Sequence, residues 1–539
     1  MLATPSLLLA AQVLAATIDV NPGDDLWGTL KALGAGDEVI IHAGTYAVPG
    51  FVDLMLPGTE GQPILIRAGD GEEVIIQGIP EQNTFNVQGS WYTLRGLKIV
   101  GGSHGIRVGT SDHATFEDIE ITTIGDVGIS CNRPDNTYEA ITIRGVHIHD
   151  TGMGGGPGEC MYLGCNDDGC QMWDSVIEFN WCHDTLAGSQ GDGIELKTGS
   201  YNNVIRHNVI HDVKYPGITI YGTVGNKAPN VVEGNAVWAS GDNGIQTVGD
   251  AIVRNNLVFA VGANGIHAKP SQGEIVENLT IVHNTILNGA GICLRGNQWP
   301  GGEGIVVAGN AFYCEGGTAI RLPEGSGTSS FAANAVVGGV EGVAMGTFDG
   351  VSLAAAFADA AAKDVYPADG SPLVDAGDPA HAPADDFNCL PRDPAAPDAG
   401  AYDRDAPTNP GWAVAPGFKT CADLGGDTTG GVETSGGSDT SGGDTSGAST
   451  TGGGGTTGAS SAGTDGTGGT SGGGSSDTSG DASGSASTAA GSSATASDTT
   501  ADTSGDEGEG CACGVDAVPQ PASLLALFSL LAWRRRHRS

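Results

Sequence analysis

The chain has 539 residues, of which 63 are acidic and 23 basic, and its formal net charge is −40 at pH 7. So large an acidic excess argues against nucleic acids and anionic membranes as general partners of its body. Glycine accounts for 90 residues, many of them between 425 and 510 in a stretch without aromatic residues, Lys or Arg. Such a stretch buries too little apolar surface to offset its ordering entropy, so we expect a disordered linker over 422–510.

The chain begins with MLATPSLLLAAQVLAA over residues 1–16, an apolar run that ends in small residues. This pattern predicts a secretory signal peptide cleaved near Ala15 or Ala16, although the usual basic start is missing. A buried first strand is the alternative.

Residues 17–100 are expected to form an N-terminal cap and the first coils of a repeat. Asp24 and Asp25 lead into the apolar positions Leu26, Leu30 and Leu33, which predicts a short amphipathic helix over an open end. Short β-branched strands closed by glycine follow.

Residues 101–322 repeat a short strand that begins with a small residue and Ile. Its apolar positions are Ile106, Ile129, Met161, Ile194, Ile218, Ile245, Ile266, Ile292 and Ile320. A second series precedes short apolar pairs: Asn180, Asn208, Asn235, Asn256, Asn284 and Asn310. Repeats of about one coil's length, rich in Gly and β-branched residues, predict an all-β fold, a single-stranded right-handed parallel β-helix with a ladder of stacked Asn side chains.

The cysteines predict disulfides. Three lie in the lengthened loop 158–173, Cys182 follows in the next strand, and their spacing fits no common zinc pattern. The four are Cys160, Cys165, Cys170 and Cys182; Cys293 with Cys314 and Cys389 with Cys421 are further plausible pairs. Metal binding at the loop is the alternative.

Residues 323–421 are less regular. The segments 371–380 and 392–403 resemble the closing segment common in secreted parallel β-helix proteins. This resemblance implies that they seal the C-terminal end of the solenoid.

Residues 511–539 form a tail with an apolar run, 522–533, which we expect to be a short hydrophobic helix, followed by an Arg-rich end. About 12 apolar residues are too few for a comfortable membrane span, which needs about 20. With Cys511 in front, this order resembles the myxobacterial C-terminal sorting signal. The resemblance implies export, processing near Cys511 by cell-envelope sorting machinery, and retention at the cell surface or outer membrane. An ordinary membrane anchor is the alternative.

Polar side chains on the Gly-Ile strands are expected to stack in two outward columns. The first is Arg107, Ser130, Tyr162, Glu195, Thr219, Gln246, His267, Cys293 and Arg321; the second includes Asn132, Lys197, Tyr221, Val248, Lys269 and Arg295. Because coils stack about 4.8 Å apart, we expect an elongated basic patch there. An ordinary solvated sheet face is the alternative.

A His-Asp pair recurs at one coil position: His149-Asp150, His183-Asp184 and His211-Asp212. Together with Asp192, the carboxylates of Asp184 and Asp212 are candidate Ca²⁺ ligands. The alternative is that each pair only caps its turn.

The sequence 191–222 resembles the segment that carries the catalytic Lys in β-helical polysaccharide lyases, of the chondroitinase B and alginate lyase group and, more loosely, the DGxxxK pectate lyases. By position, the resemblance implies that Lys197 is the general base and that Asp192 lies near a metal ligand. Tyr221 stands where the chondroitinase B group has an essential Arg.

These residues suit β-elimination in a uronic-acid polymer, which requires removal of the proton at C5 and neutralisation of the adjacent carboxylate. We expect basic neighbours to lower the pKa of Lys197, Tyr221 to donate a proton, and Arg295 or Ca²⁺ to hold the carboxylate. Substrate contacts are assigned to Glu195, His267 and Lys269.

The expected partner is therefore an acidic polysaccharide or another glycan, bound by a monomer. Hydrolysis by paired carboxylates such as Glu195 and Asp192 has no supporting spacing. The competing interpretation is a non-catalytic, adhesin-like scaffold that binds glycans at the cell surface.

Overall fold

The computed structural model describes residues 15–186, 190–225 and 227–421. Nearly all of the predicted signal peptide (1–14 of 1–16), the linker 422–510 and the tail 511–539 lie outside the described residues. Within the described ranges, no helix is both long and apolar enough to cross a membrane.

The described chain winds into a parallel β-helix. One sheet holds 36 strands, and each strand pairs in parallel with the equivalent strand of the next coil, so the sheet wraps into three walls. Successive strands of one wall lie about 4.8 Å apart.

Wall 1 contains the Gly-Ile strands, wall 2 follows it in each coil, and wall 3 completes the coil. The strands of wall 1 are Asp53–Pro57, Ile129–Cys131, Met161–Leu163, Ile194–Leu196, Ile218–Ile220, Ile245–Thr247, Asn264–Ala268 and Ile292–Gly296. Those of wall 2 are Thr17–Val20, Glu38–Ile41, Ile64–Ala68, Thr142–Arg144, Val176–Glu178, Val204–Arg206, Asn230–Glu233, Ala251–Arg254, Leu279–Val282, Val306–Ala308 and Ser330–Ala332. Those of wall 3 are Gly44–Ala47, Val74–Gln77, Leu97–Val100, Glu120–Thr122, His147–Thr151, Trp181–Thr185, Val209–His211, Ala236–Trp238, Leu257–Phe259, Thr285–Leu287 and Thr347–Asp349.

Some strands bend from one wall into another. Phe85–Arg95 and Ile106–Glu117 run through walls 1 and 2, whereas Ala311–Arg321 and Asn334–Glu341 run through walls 3 and 1. Two strands extend the turn after wall 1, Thr137–Glu139 and Gln171–Trp173. The remaining elements are an antiparallel pair, Phe357–Asp359 with Asp364–Pro367, the helix Leu353–Ala356, and short 3-10 turns at Asn166–Asp168, Trp299–Gly301, Ala360–Ala362 and Pro379–His381.

The predicted N-terminal helix is Leu26–Lys31. Asp25 caps it by accepting a hydrogen bond from the Gly28 backbone N–H at 2.9 Å. The helix buries Leu26, Trp27 and Leu30, and the Trp27 ring lies 5.4 Å from the ring of Phe85 in the first long strand. The helix therefore packs its apolar face against the first coils, as the amphipathic pattern predicts.

Close stacking of coils explains the Gly of the Gly-Ile strands. A Cβ at Gly193 would lie 2.4 Å from the carbonyl oxygen of Gly217, nearer than a carbon atom can approach without a shift of backbone. Ile194 and Ile218, which follow such glycines, are fully buried in the core. In the coil of Gly291, however, Ile292 is half-buried, and Leu294 is the buried residue that aligns with Ile266.

The predicted Asn ladder is present between walls 2 and 3. Asn208 donates from Nδ2 to Asn235 Oδ1 at 2.9 Å, and Asn235 donates to Asn256 in the same way at 3.0 Å. The same pattern joins all six predicted members and continues to Asn334. Each buried amide is thereby satisfied by the next coil, which fixes the register of the stack.

The described residues contain four disulfides. They join Cys160 to Cys182, Cys165 to Cys170, Cys293 to Cys314 and Cys389 to Cys421. Disulfides rather than metal binding in the 158–173 loop are therefore confirmed, as are the two further pairs.

The segment from 353 to 421 covers wall 3 of the solenoid. It lies back along wall 3, where Phe387, Tyr366 and Leu373 join an apolar cluster with Val209 and Leu257. Wall 3 is apolar from Val209 onward and would be an exposed hydrophobic surface without this cover. The prediction of a simple end seal was incomplete for that reason.

Candidate functional site

Wall 1 brings three carboxylates together. Glu159 belongs to one coil and Asp192 and Glu195 to the next, and their nearest ligand atoms all lie within 4.8 Å of one another. Their exposed fractions are 0% for Glu159 and 3% for each of the other two. We call Glu159, Asp192 and Glu195 the carboxylate cluster.

The carboxylate cluster is short of hydrogen-bond donors. Asp192 accepts from the Thr219 hydroxyl at 2.7 Å. Among the described residues, neither oxygen of Glu159 has a hydrogen-bond partner, and Oε2 of Glu195 also has none. Buried polar atoms are normally paired, so these orphaned oxygens mark a place that needs a proton or a cation.

The crowding of the three carboxylates also shifts their pKa values. Burial, reinforced by the charges of Glu195 and Asp192, holds the pKa of Glu159 well above its usual value. Burial and the charge of Glu195 do the same to the pKa of Asp192. Two members of the cluster therefore resist ionisation, although the charge of Lys197 acts in the opposite direction.

Lys197 lies beside the cluster, just after the strand Ile194–Leu196. Its Nζ donates to Glu195 Oε1 at 2.5 Å and lies 4.5 Å from the centre of the Tyr162 ring and 5.1 Å from that of Tyr221. The Lys197 side chain thus points away from the apolar core, toward the side where Tyr221 lies, although only 3% of Lys197 is exposed.

The expectation that basic neighbours lower the pKa of Lys197 is wrong. Burial is the largest single influence and lowers that pKa. The charges of Glu195, Tyr221 and Asp192 and the hydrogen bond to Glu195 together outweigh burial, so the pKa lies above its usual value. The immediate surroundings of Lys197 are acidic because wall 1 stacks carboxylates, not cations, in these coils.

Tyr221 shares an acceptor with Lys197. Its hydroxyl donates to the same Glu195 Oε1, at 3.3 Å. Burial, followed by the charge of Glu195, raises the pKa of Tyr221, so the phenol keeps its proton at neutral pH. The structure therefore brings Lys197, Tyr221, Glu195 and Asp192 into one site.

Arg295 does not join that site. Along wall 1 the partners run from Glu195 through Thr219 and Gln246 to His267, and then to Arg295. Four coil steps place Arg295 about 19 Å from Glu195, too far for both to act on one sugar.

The two predicted columns of outward side chains on wall 1 are wrong at the coil that contains Arg295. Arg295 pairs with His267, and Cys293 points into the core as a disulfide. Burial, with contributions from the charges of Lys269 and Arg295, lowers the pKa of His267 to about 4. His267 is therefore neutral, and the basic groups of this end are Lys269 and Arg295.

Asp184 and Asp212 lie elsewhere. Asp184 lies within the wall 3 strand Trp181–Thr185, and Asp212 directly follows the strand Val209–His211. Each is more than half exposed and accepts a hydrogen bond from Nδ1 of the preceding His at 2.7 Å. Both adopt the left-handed backbone conformation of a turn. The structure thus supports the turn-capping alternative for these residues and places neither in the carboxylate cluster.

Glu159 is the site residue that the sequence analysis missed. It stands two positions before Met161, as Asp192 stands two positions before Ile194, and the coils pair Met161 with Ile194. Aligning the coils on their strands, with the Cys-Met of this coil read as a Gly-Ile equivalent, would have found it.

Two loops meet above the site. Gln272 accepts hydrogen bonds from the Asp167 backbone and the Thr198 hydroxyl and donates to Asn166 at 3.1 Å. Asn166 also accepts from the Tyr162 hydroxyl at 3.3 Å. The loop around Gln272 is thereby tied to the turns next to Tyr162 and Lys197.

Comparison with known proteins supports the architecture. A family model, the right handed beta helix region, matches residues 83–251, which agrees with the predicted right-handed parallel β-helix. No curated protein matches the chain in sequence.

Several solved structures resemble the chain. An alginate lyase from Paenibacillus sp. str. FPU-7 is 20% identical with a TM-score of 0.35, covering 49% of this chain and 99% of its own. The pectate lyase Pel9A is 15% identical with a TM-score of 0.44, covering 72% and 96%. The PL6 family alginate lyase AlyGC is 16% identical with a TM-score of 0.42, covering 65% and 55%. The activities in these names belong to those proteins, and the chemistry of this chain follows from its own residues.

Proposed function

We propose that this chain is a polysaccharide lyase that cleaves uronic-acid polymers by β-elimination with the help of a bound Ca²⁺ ion. One observation carries the proposal: Lys197 and the Tyr221 hydroxyl both contact Glu195 Oε1, beside carboxylate oxygens that have no partner among the described residues. A base, a proton donor and a place for a cation are thus adjacent.

The carboxylate cluster suits a divalent cation. Three carboxylates against the single Lys197 ammonium leave two negative charges uncompensated when all are ionised. Oxygen ligands are those that Ca²⁺ prefers, and the orphaned oxygens of Glu159 and Glu195 supply them. Glu159, Asp192 and Glu195 would hold the ion, in place of the set Asp184, Asp192 and Asp212 first considered.

When bound, the ion would neutralise the cluster that keeps the pKa of Lys197 high and would polarise the carboxylate of a uronate. Lys197 then takes the C5 proton of the sugar as a neutral amine. The electron pair of that C–H bond forms the C4–C5 double bond as the C4–O bond breaks. Tyr221 donates its proton to the leaving oxygen.

The ends of wall 1 suit an acidic polymer. Lys269 and Arg295 lie about 14–19 Å from Glu195 in one direction. Arg107 lies two coils beyond Tyr162 in the other direction, and its buried Nε has no hydrogen-bond partner among the described residues. A chain of several uronates along wall 1 would place negative charge near both groups. His267, in the same coil as Lys269, makes a 2.9 Å hydrogen bond with Asn297.

The test is an assay of unsaturated product by ultraviolet absorbance on alginate, pectate, chondroitin sulfate and dermatan sulfate, with Ca²⁺ and with EDTA. We expect activity on one of these polymers, loss in EDTA and recovery with Ca²⁺. Absence of product from all of them, or full activity in EDTA, would contradict the proposal.

A second function, glycan binding without catalysis, is favoured by the closure of the site. Only 3% of Lys197 and none of Glu159 is exposed, and the Gln272 loop is tied over the neighbouring turns. Polymer binding measured by affinity electrophoresis, without product and without sensitivity to Lys197→Met, would support such an adhesin-like scaffold.

We further propose that the protein acts outside the cytoplasm, held at the cell surface by its tail. The four disulfides of the described residues support an oxidising compartment, and the order of Cys511, apolar run and Arg-rich end supports anchoring. Fractionation of cells expressing the wild type and Cys511→Ser tests this; equal surface retention of both would contradict a role for Cys511.

A further inference from the structure

Wall 3 carries a group of imidazoles that the proposed lyase chemistry does not use. Glu120 pairs with His147, and His149 pairs with His183, in adjacent coils. Ligand atoms of Glu120, His147 and His149 lie within 4.8 Å of one another, and all three residues are half-buried.

The Asp of each His-Asp pair fixes the tautomer of its His. Nδ1 of His149 lies 2.7 Å from Asp150 Oδ2, and Nδ1 of His183 lies 2.7 Å from Asp184 Oδ2. An ionised carboxylate can only accept, so each Nδ1 carries the hydrogen and each neutral ring presents a lone pair at Nε2. Carboxylates hold metal-binding imidazoles in the same way.

One of these lone pairs faces an acceptor, whereas the other faces His147 Nε2, which carries the hydrogen of that ring. His149 Nε2 points at Glu120 Oε1 across 3.5 Å, and His183 Nε2 lies 2.8 Å from His147 Nε2. Lys98 Nζ supplies one positive charge, 2.8 Å from Glu120 Oε1. The contact between His149 Nε2 and Glu120 nevertheless lacks a hydrogen, because both atoms are acceptors.

We propose that Glu120, His147 and His149 form a second metal site, one for a transition-metal ion such as Zn²⁺, with His183 as an adjacent nitrogen donor. Imidazole nitrogen suits Zn²⁺, Ni²⁺ and Cu²⁺ rather than Ca²⁺, so this site and the carboxylate cluster select different ions. To bind through Nε2, His147 moves its hydrogen to Nδ1, a change of tautomer that needs no redox partner.

The chain offers a matched control. His211 lies in the same column of rings and has the same 2.7 Å contact with its Asp. Its Nε2, however, already accepts a hydrogen bond from Trp181 Nε1 at 2.9 Å. Substitution of Asp212 is likewise the control for substitution of Asp150, since each Asp lies 2.7 Å from Nδ1 of the preceding His.

The experiment is a calorimetric titration of the full chain with Zn²⁺ at neutral pH in excess Ca²⁺, which fills the carboxylate cluster. Cys511 and Cys513 are replaced by Ser so that their thiols do not bind the metal. We expect one Zn²⁺ per chain, loss of that binding in His147→Ala, and 10- to 100-fold weaker binding in Asp150→Asn. His211→Ala and Asp212→Asn should bind as the parent does.

A spectroscopic readout separates ligation from folding. Cu²⁺ bound to the parent should show nitrogen hyperfine structure in electron paramagnetic resonance, and His147→Ala should lose it while keeping the parent's circular dichroism. Absence of stoichiometric Zn²⁺ binding would overturn the proposal. Equal binding by the parent and by His147→Ala would also overturn it.

Discussion

Walls 1 and 3 share the same coils and the same spacing, yet they present opposite surfaces. Wall 1 stacks Glu159, Asp192 and Glu195 into a buried cluster with unpaired oxygens. Wall 3 stacks rings: His183 lies 5.0 Å from His211, which lies 4.6 Å from Trp238.

The comparison shows what a solenoid does to its side chains. One residue type repeated at a coil position is placed about 4.8 Å from its copy. Rings gain contact from that spacing, whereas carboxylates repel one another and must acquire cations or protons. Stacked rings on wall 3 therefore stabilise one another, whereas stacked carboxylates on wall 1 require protons or counter-ions.

The largest expected effect is on kcat, and it should differ between two lysines that both lie over a tyrosine ring. Lys197→Met should lower kcat at least about 1000-fold, because general base catalysis and the adjacent charge are both lost. Lys227 lies 4.6 Å from the Tyr201 ring but donates to Gln171 and the Gly199 carbonyl, and Lys227→Met should keep most of the activity. Initial rates of absorbance change measure both, and equal loss in the two variants would contradict a specific role for Lys197.

The next effect compares two buried glutamates. Glu178 on wall 2 is bound by Arg144 and Arg206 at 2.6 and 2.7 Å, whereas Glu159 has no partner among the described side chains. In EDTA, Glu178→Gln should lower the free energy of unfolding by about 3 kcal/mol, and Glu159→Gln should raise it by about 1 kcal/mol. Urea unfolding followed by fluorescence measures both.

Addition of Ca²⁺ sharpens this test. It should stabilise the wild type and leave Glu159→Gln nearly unchanged, because that variant lacks one carboxylate of the cluster. If Glu159→Gln were destabilised in EDTA, the cluster would not carry uncompensated charge.

A pH dependence follows from the same residues. The pKa values of Glu159 and Asp192 are raised in the folded state from ordinary values of 4.5 and 3.8. Their contribution to stability is therefore full below pH 4 and is lost as the pH rises through the raised values. In EDTA, the difference in melting temperature between Glu159→Gln and the wild type should grow from about pH 4 upward.

In excess Ca²⁺, the difference in melting temperature between Glu159→Gln and the wild type should no longer grow with pH, because the ion favours the ionised carboxylates. A difference in melting temperature that is the same at every pH would show that Glu159 titrates normally.

The smallest effect concerns the cover of wall 3. The Phe418 ring meets Trp181 edge-on at 6.0 Å and His147 at 6.2 Å, and Phe418 is 42% exposed. Phe418→Ala should lower the free energy of unfolding by about 1 kcal/mol. Trp fluorescence should also shift, because Trp181 becomes more exposed to solvent. Met345→Ala, at a residue 76% exposed, is the control and should change neither the stability nor the fluorescence. An unchanged Trp fluorescence in Phe418→Ala would show that the end of the 353–421 segment does not bind wall 3.

By itself, the sequence determined the coil. The Gly-Ile strands, the Asn ladder and the N-terminal helix follow from local periodicity and composition, because each depends on residues within one coil and on a neighbour that repeats the pattern. Tyr162, Glu195, Lys197, Tyr221 and Asp192 were also placed near one another for this reason, since a fixed register carries a column from coil to coil.

Only the tertiary structure decided the charge around Lys197, the absence of Arg295 from the site and the presence of Glu159. Coil lengths vary, and one insertion shifts every later partner, so His267 aligns with Arg295 rather than with Cys293. The pKa of Lys197 likewise depends on its burial and on its contacts with Glu195 in the same coil and Tyr221 in the next, and spacing along the chain does not give the depth of burial. The return of residues 353–421 along wall 3 was decided in the same way, because an apolar wall can be covered by any segment long enough to reach it.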